Sequence, residues 1–194
     1  MRTLHDLLFL FLVTQSRATN IPLLLVFEIQ HYFLNILDLS PIELTTTSLL
    51  LQYTSFFALG GSNAISSIDL SSAYNGVSGY NVAAVGMLTF VSNWAGPIFW
   101  VSATNLMILR LRMKGETGPG SGGLLLGHLG LLTVFVTGSL LFVMAACTML
   151  RTHLFIWTVF SPKYLYGMAW SLGQHLCINM GVGSLLYWLG TKYV

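Results

Sequence analysis

Glu28 and His31 stand one helical turn apart inside an apolar run, Ile21 to Leu37. Residues three apart share a helix face. A carboxylate at bilayer depth costs at least about 2.5–3.5 kcal/mol on insertion scales, so it faces a bundle interior and takes a partner. His31 is the nearest partner in sequence. Two readings follow: a polar groove wall or proton site, or a buried helix–helix hydrogen bond with Glu28 protonated. His175 and Asn179 repeat the pattern at an i, i+4 spacing beside Gln174. Asn93 and Asn105 repeat it in another run, and His128 lies near the start of a third. Together these residues line one polar interior; singly, each is interhelical glue worth about 0.6 kcal/mol.

Other chemistries find less support. The serines around Asp69 suggest a hydrolase, yet no Gly-x-Ser-x-Gly elbow accompanies them and no His is near in sequence. Six carboxylates scattered over the chain assemble no two-metal phosphotransfer centre, and no metal ligands are expected. There is no Gly-x-x-x-x-Gly-Lys phosphate loop. The two cysteines, Cys147 and Cys177, lie in apolar runs without zinc-site spacing and read as small core hydrophobes.

The elements that must position these residues are apolar helices. Residues are 55% hydrophobic and 7% charged over 194 positions. A soluble domain carries about 25% charged residues, so this chain cannot build a water-facing surface of ordinary size. A bilayer-facing surface needs none. The fold class expected is all-α, a polytopic transmembrane helix bundle. A net charge of +2 without a basic tail argues against nucleic acid.

Spanning helices need about 20 mostly apolar residues. Leu7 to Val13 is too short and reads as a partial helix or a signal-like stump within residues 1–18. The full segments are Ile21–Leu37, with Asn20 as cap and Pro22 in the first turn, and Pro41–Leu59. Next come Asn81–Leu109, Leu124–Leu150 and Leu165–Leu189, giving five spans. Gly96-Pro97 should kink or break the third of these five. Residues 60–80 read as an ordered polar loop with apolar anchors, Asp69 capping a turn near Leu70. Residues 110–123 read as a flexible connector, and Ser161-Pro162-Lys163 as an interfacial turn with Trp157 at headgroup depth. Residues 1–194 thus form a single transmembrane domain. If spans alternate, Arg2, Arg110, Arg112, Lys114 and Lys192 share one side, and Arg17, Arg151 and Lys163 the other. That balance leans toward a cytosolic 110–123 loop.

The run Leu51-Gln52-Tyr53-Thr54-Ser55-Phe56-Phe57 through Asp69-Leu70-Ser71-Ser72-Ala73-Tyr74-Asn75-Gly76-Val77 is similar to the fungal GPI ethanolamine phosphate transferases, in particular their type 2 branch. Asn20-Ile21-Pro22 with Phe27-Glu28-Ile29-Gln30, Ser92-Asn93-Trp94-Ala95-Gly96-Pro97 and Arg151 to Lys163 agree with it. The resemblance is to the C-terminal membrane region. It implies an endoplasmic-reticulum enzyme that moves phosphoethanolamine from phosphatidylethanolamine to the second mannose of a GPI precursor. It also implies a luminal, alkaline-phosphatase-like catalytic domain with a divalent metal, zinc, which this chain lacks. The chain itself is therefore expected to hold no cofactor and no catalytic residue, and to read as a fragment that is inactive alone.

The partners implied are the lipid bilayer, the missing N-terminal catalytic domain, the GPI precursor and phosphatidylethanolamine. Candidates for a substrate groove are Glu28, His31, Asn63, Asp69, Asn75, Asn93, His175 and Asn179. A small membrane transporter or lipid-exchange protein is the competing reading, since paired intramembrane polar groups and a broken helix are typical of transporters. No internal repeat supports it. A non-catalytic membrane subunit is the third.

Overall fold

The structure, a computed structural model, describes residues 1–61, 68–71, 75, 77, 79, 81–115 and 123–192, apart from the side chains of Ile156, Phe160 and Lys163. Among these residues the regular structure is helical: α1 (Arg2–Gln15), α2 (Ile21–Ile36), α3 (Pro41–Ala58), α4 (Val82–Asn93), α5 (Ala95–Met113), α6 (Gly123–Met149), α7 (Leu154–Trp170) and α8 (Gly183–Lys192). A short 3₁₀ turn, Ala18–Asn20, joins α1 to α2, and a π-helical stretch, Ser171–Val182, joins α7 to α8.

Local chemistry sets the helix ends. Ser40 and Glu43 form a reciprocal capping box at the start of α3, with the Glu43 carboxylate accepting the Ser40 N–H at 2.9 Å. At its end Gly60 takes φ 90°, a left-handed conformation that suits glycine. The Gly60 and Gly61 N–H groups return to the Phe57 and Phe56 carbonyls, closing a Schellman motif. Asn81 caps α4 by accepting the Ala83 and Ala84 N–H groups.

The centre of the bundle is α5, in which every residue from Ala95 to Leu109 is buried. A helix apolar on all faces is buried on all faces. Phe99, Trp100, Ala95 and Ala103 pack with Leu12 of α1, Leu24 and Phe27 of α2 and Ile178 of the π-helical stretch. Leu44, Met107, Ile108, Leu109 and Tyr187 form a second cluster toward the other end. The contact is one of close side-chain packing. Gly96 shows how close: a Cβ there would lie 2.7 Å from Ser55 of α3.

The chain breaks at Trp94, where α4 and α5 meet at 72°. Pro97 falls in the first turn of α5, where its missing N–H leaves nothing unpaired. An aromatic cluster fills the elbow, with Trp94 stacked on Phe90 at 4.7 Å and on Trp170 at 6.1 Å.

Four expectations change. The Ser161-Pro162-Lys163 turn is absent: α7 starts at Leu154 and runs through Pro162. The proline removes the bond to the Thr158 carbonyl without ending the helix. The last helical run therefore begins well before Leu165 and reaches Lys192. The helix of α5 likewise extends past Arg110 and Arg112 to Met113, because basic residues suit a helix C-terminus. Asn20 stands at the N-cap of α2 but makes no side-chain capping bond; its amide donates to the Leu59 carbonyl at 3.4 Å.

Among the described residues one helix, Gly123–Met149, is by itself long and apolar enough to cross a bilayer, and α4 with α5 makes a second if taken as one broken span. Sixteen residues in α2 and 18 in α3 span about 24 and 27 Å at 1.5 Å per residue, short of the roughly 30 Å hydrocarbon core.

Two ends of the bundle are chemically distinct. At one, Lys114 pairs with Asp38, Arg110 donates to Asn35 Oδ1 at 2.7 Å, and Met1 and Leu109 close on Gly190. At the other, Arg17, Asn20, Gly60, Asp69 and Asn93 come together.

Candidate functional site

Three polar groups of side chains occupy this apolar frame. The first sits at the Arg17 end. The Asp69 N–H donates to Asn93 Oδ1 at 2.8 Å, and Asn93 Nδ2 donates back to the Asp69 carbonyl at 2.9 Å. Asn93 Nδ2 also reaches Thr89 O at 2.8 Å, so the last turn of α4 holds the loop by its backbone. The Asp69 carboxylate accepts from Arg17, from the Ser71 N–H at 2.9 Å and from the Ser71 hydroxyl at 2.8 Å. The Arg17 guanidinium holds the Asp69 carboxyl well below the usual carboxylate range; partial burial opposes this and the Ser71 donors add to it. Asp69 in turn raises Arg17. The cavity beside them, about 30 Å³, is large enough for a water. Asn75 donates to Thr14 O at 3.3 Å, tying the same loop to the end of α1. Asn63 lies outside the described residues.

The second group joins α1, α2 and α5. His5 and His31 are buried, 1% and 4% exposed, and their rings meet edge-on at 4.9 Å. Glu28 lies between them, 3.4 Å from His5 Nε2 and 3.7 Å from His31 Nδ1. His5 Nδ1 is bonded to Ser102 Oγ at 2.9 Å. Yet His5 Nε2, Glu28 Oε2 and His31 Nε2 are buried without a hydrogen-bond partner. The expected pairing of Glu28 with His31 is thus incomplete, and His5 is the member that sequence spacing missed. It lies on another helix, far from Glu28 in sequence, so no periodicity links them. The sequence offers no metal ligands by spacing; in the fold, ligand atoms of His5, Glu28 and His31 all lie within 4.8 Å of one another.

The third group runs between α3, α5, α6 and the π-helical stretch. Thr45 gives its hydrogen to Pro41 O at 2.8 Å, so its oxygen accepts from His128 Nδ1 at 3.0 Å. Thr133 gives its hydrogen to Leu129 O at 2.7 Å and accepts from His175 Nε2 at 2.8 Å. Gln174 donates to Gln52, Gln52 to Ser48 at 3.1 Å, and the Ser48 and Thr104 hydroxyls share a bond of 2.8 Å. Asn105 donates to Gly183 O at 2.8 Å. Asn179 is buried on the π-helical stretch with His175 but joins neither chain of bonds through its Oδ1. Ser48 and Gln52, four residues apart, carried a helical-face signal that points to this network.

The sequence-predicted residues therefore divide. Among the described residues, Asp69 and Asn93 meet, Glu28 and His31 meet, and His175 and Asn179 share one helical stretch.

Comparison with known proteins agrees with this helical, apolar frame. The family described as the GPI ethanolamine phosphate transferase membrane region matches residues 1–192. GPI ethanolamine phosphate transferase 2 of Aspergillus oryzae is 53% identical over 176 residues, covering 91% of this chain and 20% of that protein. The proteins of that name from Aspergillus fumigatus and Saccharomyces cerevisiae are 52% and 37% identical, over 89% and 93% of this chain and 22% of each relative. The chain thus spans about a fifth of the length of these curated relatives. No solved structure matches.

Proposed function

We propose a function from this premise: the chain belongs to the GPI ethanolamine phosphate transferase family, as its membrane region. It embeds a type 2 transferase in the endoplasmic-reticulum membrane as a multi-pass bundle of five spans, α2, α3, α4 with α5, α6, and the run from α7 to α8. The transferase it serves moves phosphoethanolamine from phosphatidylethanolamine to the second mannose of a GPI precursor. A luminal domain outside this chain, with its divalent metal, performs the chemistry. Residues 1–194 anchor and scaffold that domain.

The observation that carries the reading is the match of the membrane-region family over residues 1–192. The structure supports it in two ways. The exterior is apolar, with Phe142, Leu154 and Phe155 about four-fifths exposed. The candidate groove residues Asp69 and Asn93 spend their donors and acceptors on backbone and on Arg17, which favours closure of the bundle over binding of substrate.

A chimera tests the reading. The 194 residues replace the matching region of the Aspergillus oryzae relative, and transfer of phosphoethanolamine is assayed in microsomes. Activity at the level of the parent is expected, and none from the purified 194-residue chain. Turnover by that chain alone, or an abundant, membrane-inserted but inactive chimera, overturns the scaffold assignment.

A further inference from the structure

We infer that His5, Glu28 and His31 form a binding site for a single divalent transition-metal ion, zinc by ligand type, that clips α1 to α2 inside the bundle. Two imidazoles and one carboxylate are a donor set that suits zinc, with a fourth position left open. Ligands at about 2.1 Å in a tetrahedron lie roughly 3.4 Å apart. His5 Nε2 and Glu28 Oε2 are 3.4 Å apart, and His31 Nδ1 and Glu28 Oε1 3.7 Å. Small side-chain rotations bring the set from its 4.8 Å envelope to bonding distance.

Three further observations point to an ion rather than a hydrogen bond. His5 Nε2, Glu28 Oε2 and His31 Nε2 are buried and unpartnered. A buried polar atom with no partner costs about 1–3 kcal/mol, and one ion between His5 Nε2 and Glu28 Oε2, with His31 Nδ1 completing the set, satisfies those two atoms together. Ser102 Oγ stands 2.9 Å from His5 Nδ1. Taking the Nδ1 proton, it fixes the tautomer that turns the Nε2 lone pair to the metal, the usual outer partner of a ligating histidine. Finally, Glu28 is 42% exposed while the imidazoles are buried, so the carboxylate side of the cluster is the side this chain leaves uncovered. The inference adds an ion to the anchoring role and does not depend on transferase activity.

The test uses the full 194-residue chain in detergent, stripped with a chelator, then offered Zn²⁺ alone or Co²⁺ alone. One equivalent of zinc is expected to survive desalting, and cobalt to give the intense visible absorption of a four-coordinate site. His5→Ala with His31→Ala should abolish both, and Glu28→Gln should weaken binding at least about tenfold. Ser102→Ala should weaken it about 10- to 100-fold while leaving the ligands in place. His128→Ala with His175→Ala should change nothing. Far-UV circular dichroism checks that each variant keeps its helices; the near-isosteric Glu28→Gln keeps the test decisive if the double variant unfolds. No retained metal in the wild type, or equal retention in Glu28→Gln, overturns the site.

Discussion

The Asp69–Asn93–Arg17 clasp and the His5–Glu28–His31 cluster each centre on one carboxylate and end in opposite states. In the clasp every hydrogen bond described has an answer: two reciprocal bonds between Asp69 backbone and Asn93, and a carboxylate shared by Arg17 and Ser71. In the cluster three buried atoms have none. A satisfied polar group in an apolar frame is a structural fastener, while an unsatisfied one carries an uncompensated desolvation cost. The difference lies in what surrounds them. The clasp uses loop backbone, which brings its own donors and acceptors. The cluster sits among helices whose backbone bonds are already made.

Substitution of Asn93 should show the largest effect. Asn93→Leu leaves the Asp69 N–H and carbonyl without partners, each costing about 1–3 kcal/mol. Thermal unfolding in detergent should show a loss of about 2–4 kcal/mol; a loss under 1 kcal/mol would remove the clasp as a fastener. The cluster should respond to an ion instead. Zinc at about a hundred times its dissociation constant should stabilise the chain by about 2.7 kcal/mol, raising the unfolding midpoint of the wild type and not of the His5→Ala, His31→Ala variant.

The ion pair should matter less. Arg17 is more than half exposed, and such pairs are worth about 0.2–1 kcal/mol. The sign with pH follows from the depressed Asp69 carboxyl. Its contribution is complete at neutral pH, above the unfolded carboxylate range, and is lost as acid protonates Asp69 in the folded chain. The acid-induced drop below about pH 4 should therefore shrink in Asp69→Asn, measured as the unfolding midpoint at pH 7 and pH 3. The smallest effect belongs to Asn75. Its single exposed bond to Thr14 O, at 3.3 Å, should make Asn75→Ala change stability by under about 0.5 kcal/mol. A large loss would extend the clasp to α1.

Much of the frame was legible in residues 20–60 and 81–150. Apolar runs of helix length, Pro22 and Pro41 at first turns, Gly60-Gly61 at a stop and Gly96-Pro97 at a break each act over one or two turns, and the structure places α2, α3, α4, α5 and α6 accordingly. The exceptions have local causes too. Pro162 was read as a turn residue because in water it would be one, yet α7 runs through it. The site was legible only in pairs on one helix. Glu28 with His31 follows from spacing; His5, on α1, and Ser102, on α5, do not.

By itself, then, the sequence determined that the chain is helical and apolar, where most helices begin and end, and to which family of membrane regions it belongs. Those are consequences of composition and short-range periodicity, and of motifs that survive as contiguous runs. Tertiary structure alone decided that α5 is the buried axis, that Asn93 grips the backbone of Asp69, and that His5 meets Glu28 and His31. These partners lie tens of residues apart on different elements. No pattern along one helix encodes which face of another will be pressed against it; that choice is made by the packing of whole side chains, as where Gly96 lets α5 lie against Ser55 of α3.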